Sequence, residues 1–248
     1  KMNLNHSKLK EEFENKGFFV CKKIFTRDYI SVLIDEINNS DQNIKYYDKN
    51  KNLRRIEKLY DKGKFLIEAN KKIVDLMKLI FDEEFLIFKD KFNAKPPGGD
   101  GFYAHYDGIF QFKDDKNISR NGWYLYGDYF VNALIALDEC NEDNGTLELA
   151  NAHKGNFNEL LKNTKNDGTP ALSKELESKT SFNLINLEIG DVVFFSHTCP
   201  HRSQINNTKK DRRVLYYTYS LAKNGSKYNE YFNDKYKSKN TLKVLNEK

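Results

Sequence analysis

Residues 85–110, FLIFKDKFNAKPPGGDGFYAHYDGIF, decide the fold. Two runs rich in Phe, Tyr and Ile flank PPGGDG, a Pro/Gly turn that interrupts any regular element. The same texture recurs onward: YFVNALIALDE (129–139), TLELA (146–150), FNLINLE (182–188), DVVFFSH (191–197) and RVLYYTYSL (213–221). Short β-branched and aromatic runs bounded by turn signals read as strands. Before residue 85 the pattern is different. Ser7 is placed to cap KLKEEFENK with Gly17 closing the helix, FFVCKKIF (18–25) reads as a strand, and Thr26 is placed to cap RDYISVLIDEINN. DQNIKYYDKNKN (41–52) reads as an exposed loop, and a helix over 64–80 carries Leu66, Ile67, Ile73, Leu76, Leu79 and Ile80 as its apolar stripe. Helices followed by strands predict a mainly β fold with flanking helices and a double-stranded β-helix (jelly-roll, cupin-like) core, not alternating βαβ units. One domain is expected: 1–84 mostly helical against the barrel, 85–220 the core, 221–248 a helical tail.

The chain has 248 residues, with 41 Lys and Arg against 36 Asp and Glu, a net charge of +5. The lysines are dispersed among acids and not massed in a stripe, which argues against nucleic acid. Cys21, Cys140 and Cys199 are odd in number and widely spaced, so neither a disulfide framework nor a paired-cysteine zinc site is expected, and a reducing cytoplasm fits. The N-terminal residues carry no apolar leader. Runs such as FLIF (85–88) and VVFF (192–195) are too short to cross a bilayer.

Four residues carry chemistry. Side chains alternate along a strand, so His105 and Asp107 are expected on one face, with Tyr103 and Ile109. Two histidines and a carboxylate are the ligand set that leaves positions open on a non-haem Fe(II). The second histidine is ambiguous from spacing, because His197 and His201 share strand parity. Pro200 and the absence of a Glu between them argue against a zinc helix. Arg212 adds an always-charged fork suited to a carboxylate. Together these residues point to an Fe(II) oxygenase that uses a 2-oxo acid and O2.

FKDKFNAKPPGGDGFYAHYD resembles the Asn-x-Lys-Pro-Gly-Gly approach to His-x-Asp of the phytanoyl-CoA dioxygenase family of Fe(II)/2-oxoglutarate oxygenases. ALDECNEDNGTLELANAHKGN resembles its Asn-Gly hairpin, and EIGDVVFF its strand before the distal histidine. The family places a serine two residues and an arginine eleven residues after that histidine, a spacing matched by His201, Ser203 and Arg212 but not from His197. The likeness runs in order over residues 85–220. It implies Fe(II) on His105, Asp107 and His201, with Arg212 pairing the far carboxylate of 2-oxoglutarate and Ser203 and Asn93 hydrogen-bonding that co-substrate. Burying that carboxylate unpaired would be costly, which is the physical reason for the arginine. Strands 199–206 and 212–220 are expected to be neighbours, bringing Ser203 and Arg212 together. Related halogenases lack a carboxylate at the Asp107 position, so the resemblance favours hydroxylation.

Other residues have plainer readings. His197 and His153 read as structural histidines, Glu142 and Glu148 as solvated carboxylates, Arg213 as a surface or ion-pair arginine. Tyr103, Tyr106, Phe110 and Trp123 are candidates for the substrate pocket. Lys89, Lys91 and Lys95 alternate on one face of a strand, which reads as a solvated edge; facing inward, Lys95 or Lys91 would meet an anionic group. The Tyr-rich strand and Tyr/Asp/Lys helix after Arg212 resemble a branch of the family acting on small aminophosphonates. A small polar metabolite, aminophosphonate- or amino-acid-like, is the expected substrate, with an acyl-CoA or carrier-bound substrate as the alternative. Rival readings are a non-catalytic jelly-roll binding protein and a cupin using another divalent metal.

Overall fold

The computed structural model describes residues 5–40 and 44–237. Its first half runs α1 (His6–Lys16), β1 (Phe18–Cys21), α2 (Arg27–Asn38), β2 (Ile44–Tyr47), β3 (Leu53–Glu57), α3 (Lys64–Phe81), β4 (Phe85–Lys95), β5 (Phe102–His105), β6 (Gln111–Lys113) and β7 (Ser119–Asn121). There follow β8 (Phe130–Ala136), β9 (Leu147–Leu149), α4 (Phe157–Leu161), α5 (Lys174–Lys179), β10 (Asn183–Leu184), β11 (Val192–Ser196), β12 (His201–Ser203), β13 (Arg212–Leu221) and α6 (Tyr228–Lys237). The expected tail beyond 237 lies outside the described residues.

Two antiparallel sheets face each other. The large one has the order β1-β11-β8-β13-β4-β3-β2, the small one β10-β9-β12-β5, the jelly-roll arrangement the strand pattern predicts. Leu134, Leu149, Val193, Phe195 and Val214 fill the space between the sheets. On the outer side of the large sheet, Phe19, Phe88, Phe92, Phe194 and Tyr217 pack with Leu33, Ile73, Met77 and Phe232 of the helices. α2 is capped by Thr26 as its sequence indicates, and Gly17 ends α1 in the left-handed region. The α1 cap is Asn5, whose side chain accepts from the Lys8 amide, so the helix starts earlier than a Ser7 cap would allow. In α3, Ile67 and Leu79 face solvent, while Leu66, Ala69, Ile73, Leu76, Met77 and Ile80 keep the 3.6-residue period.

Three differences from the sequence reading shape the site. The stretch read as a loop contributes β2, and β3 follows it; only Ile44 and Tyr46 of β2 turn inward, and that alternation is masked by Lys45 and the exposed Tyr47. β3 pairs with β4, so β4 is an interior strand and not an edge. Its Phe88, Asp90 and Phe92 turn toward the helices, and Lys89, Lys91, Asn93 and Lys95 turn into the barrel. Finally, β12 belongs to the small sheet and β13 to the large one, so they are not neighbouring strands.

Candidate active site

Cross-strand register builds the candidate metal centre. His105 on β5 and His201 on β12 are directly paired, with ring centroids 4.0 Å apart. β5 ends at His105, and Asp107 is not a strand residue as expected. The chain turns there at Gly108, whose φ of +72° disfavours a side chain, while the Asp107 amide donates to the His197 carbonyl at 3.0 Å. This turn, and not strand alternation, aims the carboxylate. Ligand atoms of His105, Asp107 and His201 all lie within 4.8 Å of one another.

The surroundings prepare these three groups for a cation. Nδ1 of His105 sits 2.8 Å from the Tyr103 carbonyl and Nδ1 of His201 3.0 Å from the Cys199 carbonyl. Each Nδ1–H is thereby committed to an acceptor, which leaves each Nε2 lone pair for a metal. Burial, with the neighbouring His201, holds His105 well below the ordinary imidazole value, and burial lowers His201 too. Burial alone would raise Asp107, yet His201, Lys91, His105 and Lys89 hold its carboxyl below the usual carboxylate range. Two neutral imidazoles and an ionised carboxylate result, a donor set that fits iron. Asn132 supports Asp107: its Nδ2 donates to Asp107 Oδ2 at 2.8 Å, and Thr218 Oγ1 donates to Asn132 Oδ1 at 2.7 Å. The sequence reading missed both residues; the signal was a polar residue inside each of two apolar strands, at facing register.

His197 and His153 stay outside the cluster. His197 packs against Phe130, with Tyr124 Oη 3.1 Å from its Nε2, and burial brings it down to about 4. His153 is hydrogen-bonded to Tyr106 Oη.

Arg212, Lys95 and Ser203 meet at one end of the barrel, although not through adjacent strands. Lys95 is the β4 partner of Arg212 and reaches across to donate to Ser203 Oγ at 2.9 Å. The Gly145 carbonyl accepts from Arg212 Nη2 at 2.8 Å and from Lys95 Nζ at 3.2 Å. Gly145 has φ +68°, and a side chain there would strike the Gln204 carbonyl and Lys95 Nζ, so the Asn-Gly turn needs its glycine to seat both cations. Arg212 Nε and Asn93 Oδ1 are buried without a hydrogen-bond partner. The unpaired Nε–H of Arg212, with Lys95 beside it, fits an anionic molecule that would accept from it, while Asn93 Oδ1 is an acceptor open to a donor.

The remaining candidates separate. Phe110 and Trp123 line a cleft of about 410 Å³, shared with Asp115, Tyr126, Tyr231 and Lys235. Tyr103 stacks on Phe102 beside His105. Tyr106, just past the end of β5, points the other way, into a small core with Leu160, Leu172 and also Ile109, which strand parity assigns to the His105 face. Glu148 is not solvated: it is buried and accepts from Arg202 and Gln204. Glu142 is exposed, and Arg213 forms a bidentate pair with Asp138. Lys89 and Lys91 do not make a solvated edge; they line the barrel near Asp107. No helix among the described residues is long and apolar enough to cross a membrane.

The family profile described as phytanoyl-CoA dioxygenase (PhyH) matches residues 8–214. The chain belongs to the phytanoyl-CoA dioxygenase family. It is 30% identical over 177 residues to a 2-aminoethylphosphonate dioxygenase of the uncultured bacterium HF130_AEPn_1, covering 71% of this chain and 61% of that one. It is also 30% identical over 169 residues to a methylphosphonate hydroxylase of Gimesia maris, covering 67% and 57% respectively. The chain thus spans about three-fifths of the length of these relatives. EctD from S. alaskensis with bound Fe shares the fold, with a TM-score of 0.68 at 17% identity over 89% of this chain and 80% of that one. As a phytanoyl-CoA dioxygenase family member, the chain carries the His-x-Asp and distal histidine together in space, and Arg212 in the same barrel.

Proposed function

We propose that this protein is an Fe(II)/2-oxoglutarate-dependent dioxygenase that hydroxylates a C–H bond of a small polar metabolite, phosphonate- or amino-acid-like. The observation that carries this reading is a buried His105, Asp107 and His201 group with both Nδ1 atoms committed, in one barrel with an orphaned Arg212 Nε. Iron bound there supplies, with 2-oxoglutarate and O2, the oxidising power for an unactivated C–H bond, while 2-oxoglutarate is converted to succinate and CO2. His105 and His201 would hold the metal through Nε2, and Asp107, fixed by Asn132, through a carboxylate oxygen. Arg212 and Lys95 would neutralise the far carboxylate of 2-oxoglutarate, with Ser203 and Asn93 as hydrogen-bonding partners. Val193, Phe195, Leu147 and Leu149 keep water from the space between the sheets. The names of the two relatives at 30% identity support a phosphonate as the substrate.

Anaerobic addition of Fe(II) and 2-oxoglutarate should give a visible charge-transfer absorption, and air with a phosphonate panel should then yield succinate. Absence of both the absorption and succinate would refute the reading.

A further inference from the structure

Lys89 and Lys91 are the cations the metal centre and the Arg212 end do not use. Both point from β4 into the barrel, and both lie close enough to Asp107 to act on its charge. Lys89 is only 9% exposed. Its Nζ lies 4.6 Å above the Trp123 ring and 5.5 Å from the Tyr231 ring, while Lys91 Nζ lies 4.5 Å above the Tyr216 ring. Among the described residues neither ammonium has a hydrogen bond or an ion pair. The nearby Glu57 is already held by Lys235 at 2.6 and 2.7 Å, with Arg55 3.6 Å away. Tyr231, from α6, adds a buried hydroxyl without a partner. Burial brings Lys91 down to about 8 and Lys89 well below the usual lysine value, so the protein alone holds these charges at a cost.

A buried and a half-buried ammonium group and a buried hydroxyl donor, none hydrogen-bonded or ion-paired among the described residues, describe a receptor for an anion. The far carboxylate of the co-substrate, paired at the Arg212 end, is remote along β4 from where Lys91 and Lys89 leave the strand. Lys91 and Lys89 are four and six residues before Lys95, roughly 13 and 20 Å along the strand, whereas the four C–C bonds of a five-carbon diacid span about 6 Å. Lysine ammoniums are compact point charges with three donors each, suited to a tetrahedral oxyanion, whereas the planar arginine fork at the other end suits a carboxylate. Access is built in, because Trp123 and Tyr231, the rings beneath Lys89, also line the 410 Å³ cleft.

We infer that Lys89, Lys91 and the Tyr231 hydroxyl form a second anion site, which holds the phosphonate group of the substrate while its C–H bond faces the metal. The inference rests on the oxygenase reading for the identity of the bound molecule, but the site itself is testable without turnover. The experiment is calorimetric titration of methylphosphonate into the anaerobic protein loaded with Fe(II) and 2-oxoglutarate, repeated with metal-free protein. Lys89→Met, Lys91→Met and Tyr231→Phe variants are compared with the parent. Each lysine variant should weaken methylphosphonate binding at least tenfold in both forms, with 2-oxoglutarate affinity within twofold of the parent. Lys91→Arg should restore part of the loss. Methylphosphonate should also raise the Tm of the parent but not of Lys89→Met/Lys91→Met, a double variant that is expected to fold because it removes buried unpaired charge. Unchanged methylphosphonate affinity in both lysine variants, or a preference for acetate or methanesulfonate over methylphosphonate, would overturn the site. Failure of the parent to show the charge-transfer absorption would instead strike the oxygenase reading, since binding to metal-free protein is read separately.

Discussion

Replacing Asn132 with alanine should weaken metal binding without touching a ligand. Asn132 is 1% exposed, so water does not replace the lost amide at the Asp107 carboxylate. Its hydrogen bond runs to a charged acceptor at 2.8 Å, an interaction of about 1.5–3 kcal/mol. Supporting partners of metal ligands, when removed, usually lower affinity by about 10–100-fold, which corresponds to about 1.4–2.8 kcal/mol. The two routes agree, so Asn132→Ala should bind Fe(II) about 10–100-fold more weakly. Thr218→Val removes only the hydroxyl that orients the amide and should cost less. Affinity is read anaerobically by competition against a fluorescent chelator, with circular dichroism to check folding. A folded Asn132→Ala that binds the metal within twofold of the parent would refute the view that this amide sets the carboxylate.

His201→Ala should abolish iron retention and His197→Ala should leave it intact, measured as iron per chain after desalting; loss in the His197 variant alone would reverse the ligand assignment. Burial, with Arg212 beside it, brings Lys95 down to about 7, so at pH 8 the free protein holds it mostly neutral; an incoming dicarboxylate raises its pKa. Binding of 2-oxoglutarate should therefore take up protons at pH 8 and almost none at pH 5.5, read from calorimetry in buffers of different ionisation heat, and proton release at pH 8 would contradict the placement. Lys235→Met strands Glu57, whose side chain is 2% exposed and keeps, among the described residues, Arg55 at 3.6 Å and the Tyr46 and Tyr236 hydroxyls. The loss should be about 3 kcal/mol, the low end for breaking a buried pair, with Glu57→Gln restoring most of it. A denaturant melt showing less than 1 kcal/mol would be inconsistent with that role.

Periodicity made much of this molecule legible. α2 announced itself by its Thr26 cap, α2 and α3 by a 3.6-residue stripe, and β8, β11 and β13 by near-continuous apolar runs that mark strands covered on both faces. β2 and β3 were hidden because four of their nine residues, Lys45, Arg54, Arg55 and Glu57, are charged and break any apolar run. That omission made β4 look like an edge and sent its lysines to solvent, when β3 covers it and the barrel claims them. Asp107 was found for an incomplete reason: strand parity predicted its face, but a left-handed glycine and the His197 carbonyl place it. Ser203 and Arg212 come together through Lys95, a contact across sheets that no local pattern encodes. Glu148 was misread for the same cause, since its partners Arg202 and Gln204 belong to another strand and its following loop.

The charge balance of the barrel ties these findings together. Arg212, Lys95, Lys91 and Lys89 face inward, Glu57 and Lys235 cancel each other, and Asp107 is the carboxylate left at the centre. A divalent metal adds two more positive charges to a space walled by Phe195, Leu149 and Val214, where unpaired charge is expensive. The interior is therefore stable in its charged form only when anions enter. One dicarboxylate at the Arg212 end would balance that end, with Lys91 and Lys89 attached to the strand roughly 13 and 20 Å away. Completing the balance would take a second anion, the one inferred above at Lys89 and Lys91. On the inference of a second anion site, the β4 lysines, more than His105, Asp107 and His201, would bear on which substrate this chain accepts.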